Sequence, residues 1–256
     1  MNGLFRRQRV GGPDGLDVIV CEPLVERGVP HGFSLRWRGS SGKHVFGARG
    51  QGSRDRNELA RALGLDRGVA HMRQIHGNIV RRIDAPVAEP PMCDGLATGR
   101  PALALVVQTA DCVPLVFWDE GQNVAAAVHA GWRGTLAEIA LRALAFLRER
   151  FGSQADSVHV AMGPAIGACC YEVGDEVVEA FVDRSSVAEE FFAPGRRGKK
   201  HLDLIRANSH QLLEAGVPAQ QIYSSGMCTS CDNGELYSYR KEGKGAGRLM
   251  GVIGPR

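Results

Sequence analysis

Three segments of the 256-residue chain set a strong metal ligand beside glycine or an acid at the end of an apolar run: Gln74-Ile75-His76-Gly77, Thr109-Ala110-Asp111-Cys112-Val113-Pro114 and Val128-His129-Ala130-Gly131-Trp132-Arg133-Gly134. His76, Cys112 and His129 are separated by 36 and 17 residues, which suits a site gathered from different strands better than the tight ligand pairs of a zinc finger. One cysteine and two histidines leave a fourth position open for water or substrate, the pattern of a catalytic zinc site. Taken singly, each ligand competes with a plainer reading as a satisfied core side chain. The neighbours favour a pocket: Gly77, Gly131 and Gly134 suit close backbone approach, and Trp132 and Arg133 fall where a strand turns into a helix, so that an arginine beside a helix N-terminus would cradle an anion. The bland alternative is Trp132 as core filler and Arg133 as a surface cation.

The remaining cysteines carry a weaker signal. Cys228-Thr229-Ser230-Cys231 is a single C-x-x-C without a second such pair, followed by the turn-like Asp232-Asn233-Gly234, and is expected to be structural or pocket-lining rather than redox-active. Cys169 and Cys170 are adjacent and should not bridge each other, one being expected in the core and the other toward the pocket. Seven cysteines, an odd number in a chain without a secretion signal, argue against a disulfide framework. The sequence has no G-x-x-x-x-G-K-[ST], H-E-x-x-H or G-x-S-x-G, and no H-x-E with a following P-C-x-x-C, which removes the familiar nucleoside-triphosphatase, zincin, serine-hydrolase and cytidine-deaminase readings.

The elements that must position these residues are short. Strands are expected at 18–21, 32–35 and 79–83, and a helix at 55–63 with Gly64 as its stop. The Gly/Ser/Arg-rich stretch 38–54 between them reads as a mobile loop whose arginines could close over a substrate as a lid. The centre of the chain holds three nearly continuous apolar runs, 103–107, 113–118 and 124–128, which read as strands buried on both faces. An amphipathic helix is expected at 135–151, then a strand at 158–162, helices at 174–182 and 204–215, and strands near Ile222 and at 249–253. No repeat or linker interrupts this order, and one mixed α/β domain over 1–256, a sheet with flanking helices, is the expected architecture.

Composition narrows the partners. With 44% hydrophobic and 23% charged residues the chain can bury a sizeable core, and a net charge of only +3 with 6% aromatics and no dense basic tract disfavours nucleic-acid binding. No apolar run approaches the ~18–20 residues of a membrane span, so a soluble, cytoplasmic protein is expected.

Several motifs together resemble a known family. The three ligand segments, Asp94-Gly95-Leu96, Gly163-Pro164-Ala165-Ile166-Gly167 with Cys170-Tyr171-Glu172-Val173, and Cys228-Thr229 with Ser238-Tyr239-Arg240 are similar, in order and over nearly the whole chain, to the laccase-domain family, once described as multicopper polyphenol oxidase and later reassigned as purine nucleoside phosphorylase. The resemblance implies a single α/β domain with a zinc site carried onto His76, Cys112 and His129. It also implies phosphorolysis of adenosine, inosine and methylthioadenosine to the base and ribose 1-phosphate, with adenosine deamination as a further activity. Near the N-terminus the sequence departs from the family: Phe33-Ser34-Leu35-Arg36 stands for Phe-Ser-Thr-Arg, and Arg38-Gly39-Ser40-Ser41-Gly42 for Gly-Gly-x-Ser.

Each implied reaction sets its own chemical demand. Deamination needs hydroxide near neutral pH and a carboxylate to move the proton, for which Asp111 and Glu172 are the candidates, either of which could instead orient a ligating histidine. Phosphorolysis needs cations for phosphate and for an oxocarbenium-like ribose, and Arg36, Arg133 and Arg240 are the residues placed there. The competing enzyme is a copper-dependent polyphenol oxidase, for which copper would replace zinc. Each copper of a cluster wants two or three imidazoles, and eight histidines with no H-x-H pair supply them poorly. A non-catalytic, zinc-stabilised binding module is the third class.

Overall fold

The structure, a computed structural model, describes residues 3–12, 15–36 and 52–256. Two six-stranded sheets dominate it. The first runs, edge to edge, β1 (Phe5–Val10), β2 (Leu16–Cys21), β3 (His31–Ser34), β15 (Leu249–Ile253), β7 (Ala104–Thr109) and β4 (Val69–His71). The second runs β14 (Ile222–Ser224), β10 (Val158–Met162), β8 (Val113–Asp119), β9 (Val124–Ala130), β6 (Gly95–Thr98) and β5 (Val80–Arg82). Neighbours are antiparallel except at β4/β7, β5/β6 and β10/β14. A small third sheet joins β11 (Glu172–Val173), β13 (Lys200–Leu202) and β12 (Phe192–Pro194).

The two-residue period of a strand decides which core each side chain enters. Ala125 and Ala127 of β9, Val116 and Trp118 of β8 and Leu96 of β6 point at the first sheet and meet Ile19, Phe33, Leu105, Val107, Leu249 and Ile253. The alternate residues, Val124, Ala126, Val128, Leu115 and Phe117, face away and are covered by helices. These are α4 (Ile139–Phe151) and α6 (Leu204–Glu214), which contribute Ile139, Ala143, Leu147, Leu204 and Leu212. On the outside of the first sheet, Val18, Ala104, Val106 and Val252 pack with Leu59 and Ala60 of α2 (Gly52–Ala62). Four layers result, helix on sheet on sheet on helix, which is why the central runs lack the alternation of a half-exposed strand. The mixed α/β reading holds, and the expected single sheet is two sheets face to face.

Two expectations change. The helix expected at 135–151 is two helices: α3 (Trp132–Leu136) ends at Ala137, whose carbonyl accepts from the Asn78 side chain, and Glu138 at φ 61 swings the chain into α4. Of the stretch 38–54, residues 38–51 lie outside the described residues, and 52–54 belong to α2. The shorter helices are α1 (Glu22–Glu26), α5 (Asp175–Val182) and α7 (Tyr239–Glu242). Among the described residues no helix is long and apolar enough to cross a membrane.

Candidate metal centre and cleft

His76, Cys112 and His129 converge. Their ligand atoms lie within 4.8 Å of one another, and the two imidazoles meet edge to face with centroids 4.8 Å apart. His129 belongs to β9, Cys112 follows β7 across a tight turn into β8, and His76 sits in the loop between β4 and β5. That loop is fastened by Gln74, which donates to the Gln108 carbonyl at 2.8 Å and accepts from the Gln108 N–H at 2.9 Å. The site leaves little room for a side chain at Gly131, where a Cβ would press on Cys112 Sγ at 3.0 Å and His76 Cδ2 at 3.4 Å. His76 and Asp111 both have left-handed backbones, φ 59 and φ 93, a conformation that costs a residue with a Cβ energy and is characteristic of positions fixed by function.

A buried carboxylate organises the ligands. Asp94, fully buried just before β6, accepts from the backbone N–H groups of His76 at 2.9 Å, Gly77 at 2.7 Å and Ile75 at 3.3 Å, and from His129 Nδ1 at 2.9 Å. The last bond fixes the His129 tautomer and leaves Nε2 for a metal. Burial opposes ionisation of Asp94, but the His129 ring and the Gly77 and His76 N–H groups hold it below the ordinary carboxylate range. Burial likewise opposes a Cys112 thiolate, yet hydrogen bonds and charge from His129 and His76 bring the thiol down to about 6. His129, disfavoured as a cation by burial, is raised to about 9 by Asp94 and Cys112. Both shifts favour a thiolate beside an imidazolium, and a donor set of one thiolate and two imidazoles fits a borderline-soft ion such as zinc.

The ligands open onto a cleft of about 490 Å³. Trp132, Tyr171 and Tyr239 give it aromatic walls, and Arg240 and Arg248 bring cations to it. Asp111 also lines it, but both carboxylate oxygens are engaged: Oδ1 accepts from the Thr229 hydroxyl and Oδ2 from the Arg240 N–H, each at 2.6 Å. Arg240 donates from its guanidinium to the Glu172 carbonyl at 2.9 Å and lies 5.2 Å over the Tyr171 ring.

The other residues singled out from the sequence stand outside this lining. The Glu172 side chain is exposed, its Oε2 4.0 Å from His201 Nε2. Arg36 is paired with Glu242 at 2.5 Å and lies 4.1 Å over Tyr237. Arg133 is exposed, with its guanidinium 4.2 Å over the Trp132 ring that does line the cleft. The expected helix N-terminus at this point is the single turn α3, too short for a sizeable dipole. Sequence reasoning missed the bonds of Asp94, although its Asp-Gly stood among the quoted motifs. It also missed Arg248, an arginine at the end of a loop with no pattern to mark it.

A second gathering of cysteines was not expected. Cys169, Cys170, Cys228 and Cys231 hold their sulfurs within 4.8 Å of one another. Neither Cys169 nor Cys170 is in the core: the first is exposed and the second half-buried. All seven cysteines are free thiols.

Residues 31–256 match the family described as multi-copper polyphenol oxidoreductase laccase. A purine nucleoside phosphorylase of Bacteroides thetaiotaomicron is 38% identical over 166 residues, which are 62% of this chain and 60% of that one. Purine nucleoside phosphorylase YlmD of Geobacillus stearothermophilus is 36% identical over 230 residues, 84% of this chain and 82% of its own. Adenosine deaminase RL5, from an unknown prokaryotic organism, is 38% identical over 203 residues, 75% and 77% of the two chains. The crystal structure of YlmD from Geobacillus stearothermophilus superposes with a TM-score of 0.83 and 29% identity over 99% of both chains.

Proposed function

The chain belongs to the family described as multi-copper polyphenol oxidoreductase laccase, and from that premise we propose that it is a zinc-dependent purine nucleoside enzyme acting in the cytoplasm as one domain over 1–256. Its reactions are phosphorolysis of adenosine, inosine and methylthioadenosine to the base and the (methylthio)ribose 1-phosphate, and deamination of adenosine. One observation carries this reading: three ligands of catalytic type face a cleft that also presents aromatic rings and guanidinium groups. A volume of about 490 Å³ falls in the ~300–1,000 Å³ span of small-ligand sites.

His76, Cys112 and His129 hold the zinc, which when bound lowers the pKa of a water from 15.7 to about 7. Asp94 keeps His129 in the ligating tautomer. Trp132, Tyr171 and Tyr239 offer faces against which a purine stacks. Arg240 and Arg248 supply charge for the attacking phosphate, with Arg133 at the rim, while Arg36 acts through its pairing with Glu242. The engaged carboxylate of Asp111 supports a positioning role, since it holds the Arg240 backbone in place, while the Glu172 carbonyl accepts from and orients the Arg240 guanidinium. A copper oxidase is less well supported. Beyond the two ligating imidazoles, His31, His159 and His201 are committed to Val29, Tyr223 and Ala168 respectively.

Product analysis on adenosine tests the proposal. Adenine with ribose 1-phosphate, formed only when phosphate is present, marks phosphorolysis, and inosine without phosphate marks deamination. Neither product from zinc-loaded protein, together with phenol oxidation by copper-loaded protein, overturns it.

A further inference from the structure

The sulfurs of Cys169, Cys170, Cys228 and Cys231 take no part in the reaction proposed above, and they are arranged for a different purpose. Cys231 Sγ lies 3.4 Å from Cys170 Sγ and 3.6 Å from Cys169 Sγ. Four thiolates at ~2.3 Å around a tetrahedral zinc stand about 3.8 Å apart, because a tetrahedron's edge is ~1.63 times its centre-to-corner length. The observed separations are close to those of a filled site. A disulfide would use two of these sulfurs and leave the other two crowded beside it, whereas one tetrahedral ion uses all four.

We propose that Cys169, Cys170, Cys228 and Cys231 form a second, closed metal site that takes one zinc ion and clips the turn at 167–171 to the turn at 228–232. The backbone prepares both turns. Cys170 N donates to the Gly167 carbonyl at 2.9 Å and Asp232 N to the Cys228 carbonyl at 2.9 Å. Ala165 joins the two segments in a β-bridge to Cys228: its N–H donates to the Met227 carbonyl at 3.3 Å and its carbonyl accepts from Thr229 N at 3.0 Å. Gly167 N points at Cys228 Sγ from 3.3 Å, a donor that favours the thiolate a metal requires. Cys228 is buried, while Cys169 and Cys231 face solvent, so the site has an entry path. The second pair that the isolated C-x-x-C lacked is Cys169-Cys170, which the β-bridge brings alongside it.

The clip bears on the cleft from both turns. Tyr171, directly after Cys170, lines the cleft, and Thr229, directly after Cys228, holds Asp111. Filling the site exchanges thiol protons for metal without any redox change and stiffens the wall that carries Asp111 and Arg240.

The test is metal counting on full-length protein expressed with zinc, with thiols counted on the denatured chain. Wild type is expected to carry about two zinc ions per chain, Cys231→Ser and Cys169→Ser about one each, Cys112→Ala about one, and the Cys112→Ala/Cys231→Ser double variant almost none. Cys169 and Cys231 are exposed, so the serine changes remove no core packing. Cobalt-loaded Cys112→Ala, which leaves the cluster untouched, should show the strong thiolate charge transfer of a four-sulfur tetrahedral site. Wild type with one zinc that Cys231→Ser does not remove, a disulfide found among the four cysteines, or cobalt in Cys112→Ala without that absorption overturns the inference. Failure of the catalytic zinc looks different: Cys112→Ala keeps its full metal content while Cys231→Ser still loses one ion.

Discussion

Replacing Asp94 by asparagine keeps the shape of the side chain and removes its charge and one acceptor. The carboxylate accepts four hydrogen bonds, Oδ1 from His76 N and His129 Nδ1, Oδ2 from Gly77 N and Ile75 N. An amide has one oxygen. With that oxygen kept on His129 and His76, the new NH₂ faces two N–H donors; turned over, it loses the histidine. Two bonds to a charged acceptor are lost either way, at ~1.5–3 kcal/mol each, so Asp94→Asn should destabilise the metal-free protein by about 3–6 kcal/mol. Freed from its anchor, the His129 ring no longer presents Nε2 in a fixed direction, and metal affinity should fall about 10–100-fold. Urea unfolding of chelated protein reads the first effect, and competition for zinc with a chromophoric chelator reads the second. Val252→Ala, a core truncation in β15 away from the ligands, is the control: it should lower stability without moving the affinity. An Asp94→Asn protein that binds zinc as tightly as wild type would falsify the role given to this carboxylate.

Three further outcomes are expected. His76→Gly removes a ligand but relieves a left-handed backbone costing ~1 kcal/mol, so the chelated protein should be at least as stable as wild type while losing zinc from this site; a clear loss of stability contradicts the strain. His31 is buried with Nε2 accepting from Cys21 N at 2.8 Å, and burial pushes it down to about 4 from 6.5. The unfolded chain therefore takes up a proton that the folded one refuses, and stability present above pH 6.5 is lost as pH falls toward 4, by about 2 kcal/mol between pH 7 and pH 5. His31→Gln, which can keep both bonds, should flatten that part of the urea-midpoint profile, and an unchanged profile rules the linkage out. Arg240→Lys should raise the KM for phosphate about tenfold, the worth of one charge-assisted bond, and spare deamination; equal losses in both reactions point to a general pocket defect.

The parts legible in the sequence were those whose signal is local. β8, β9 and β10 were readable because strands buried on both faces leave long apolar runs, and α2 and α6 because Gly64 and Gly216, at φ 77 and 89, stop them. The third sheet was not readable, since two- and three-residue strands are too short to show a period. The break at Glu138 was hidden because the side chain that takes the freed Ala137 carbonyl, Asn78, is 59 residues away in the chain. The three candidate metal ligands could be picked out by residue type beside glycine or an acid. The groups that hold them and line the cleft could not: Asp94 reads as one more turn acid and Arg248 as one more surface cation. Nor could the separate cysteine cluster, because Cys169-Cys170 reads as unrelated to a C-x-x-C far downstream.

The place of β15 bears on how the protein is made. Leu249–Ile253 lies between β3 and β7, hydrogen-bonded to both. All strands of the second sheet precede it in the chain, so that sheet and its helices can assemble during synthesis. The first sheet has no such option: until β15 leaves the ribosome, the β2–β3 hairpin and the β7–β4 pair are separate pieces. Their two inner edges then carry unpaired N–H and C=O groups that invite pairing with another chain. A chain stopped short of Leu249 would be left not with a frayed end but with a gap through the middle of a sheet, and is a natural client for chaperones.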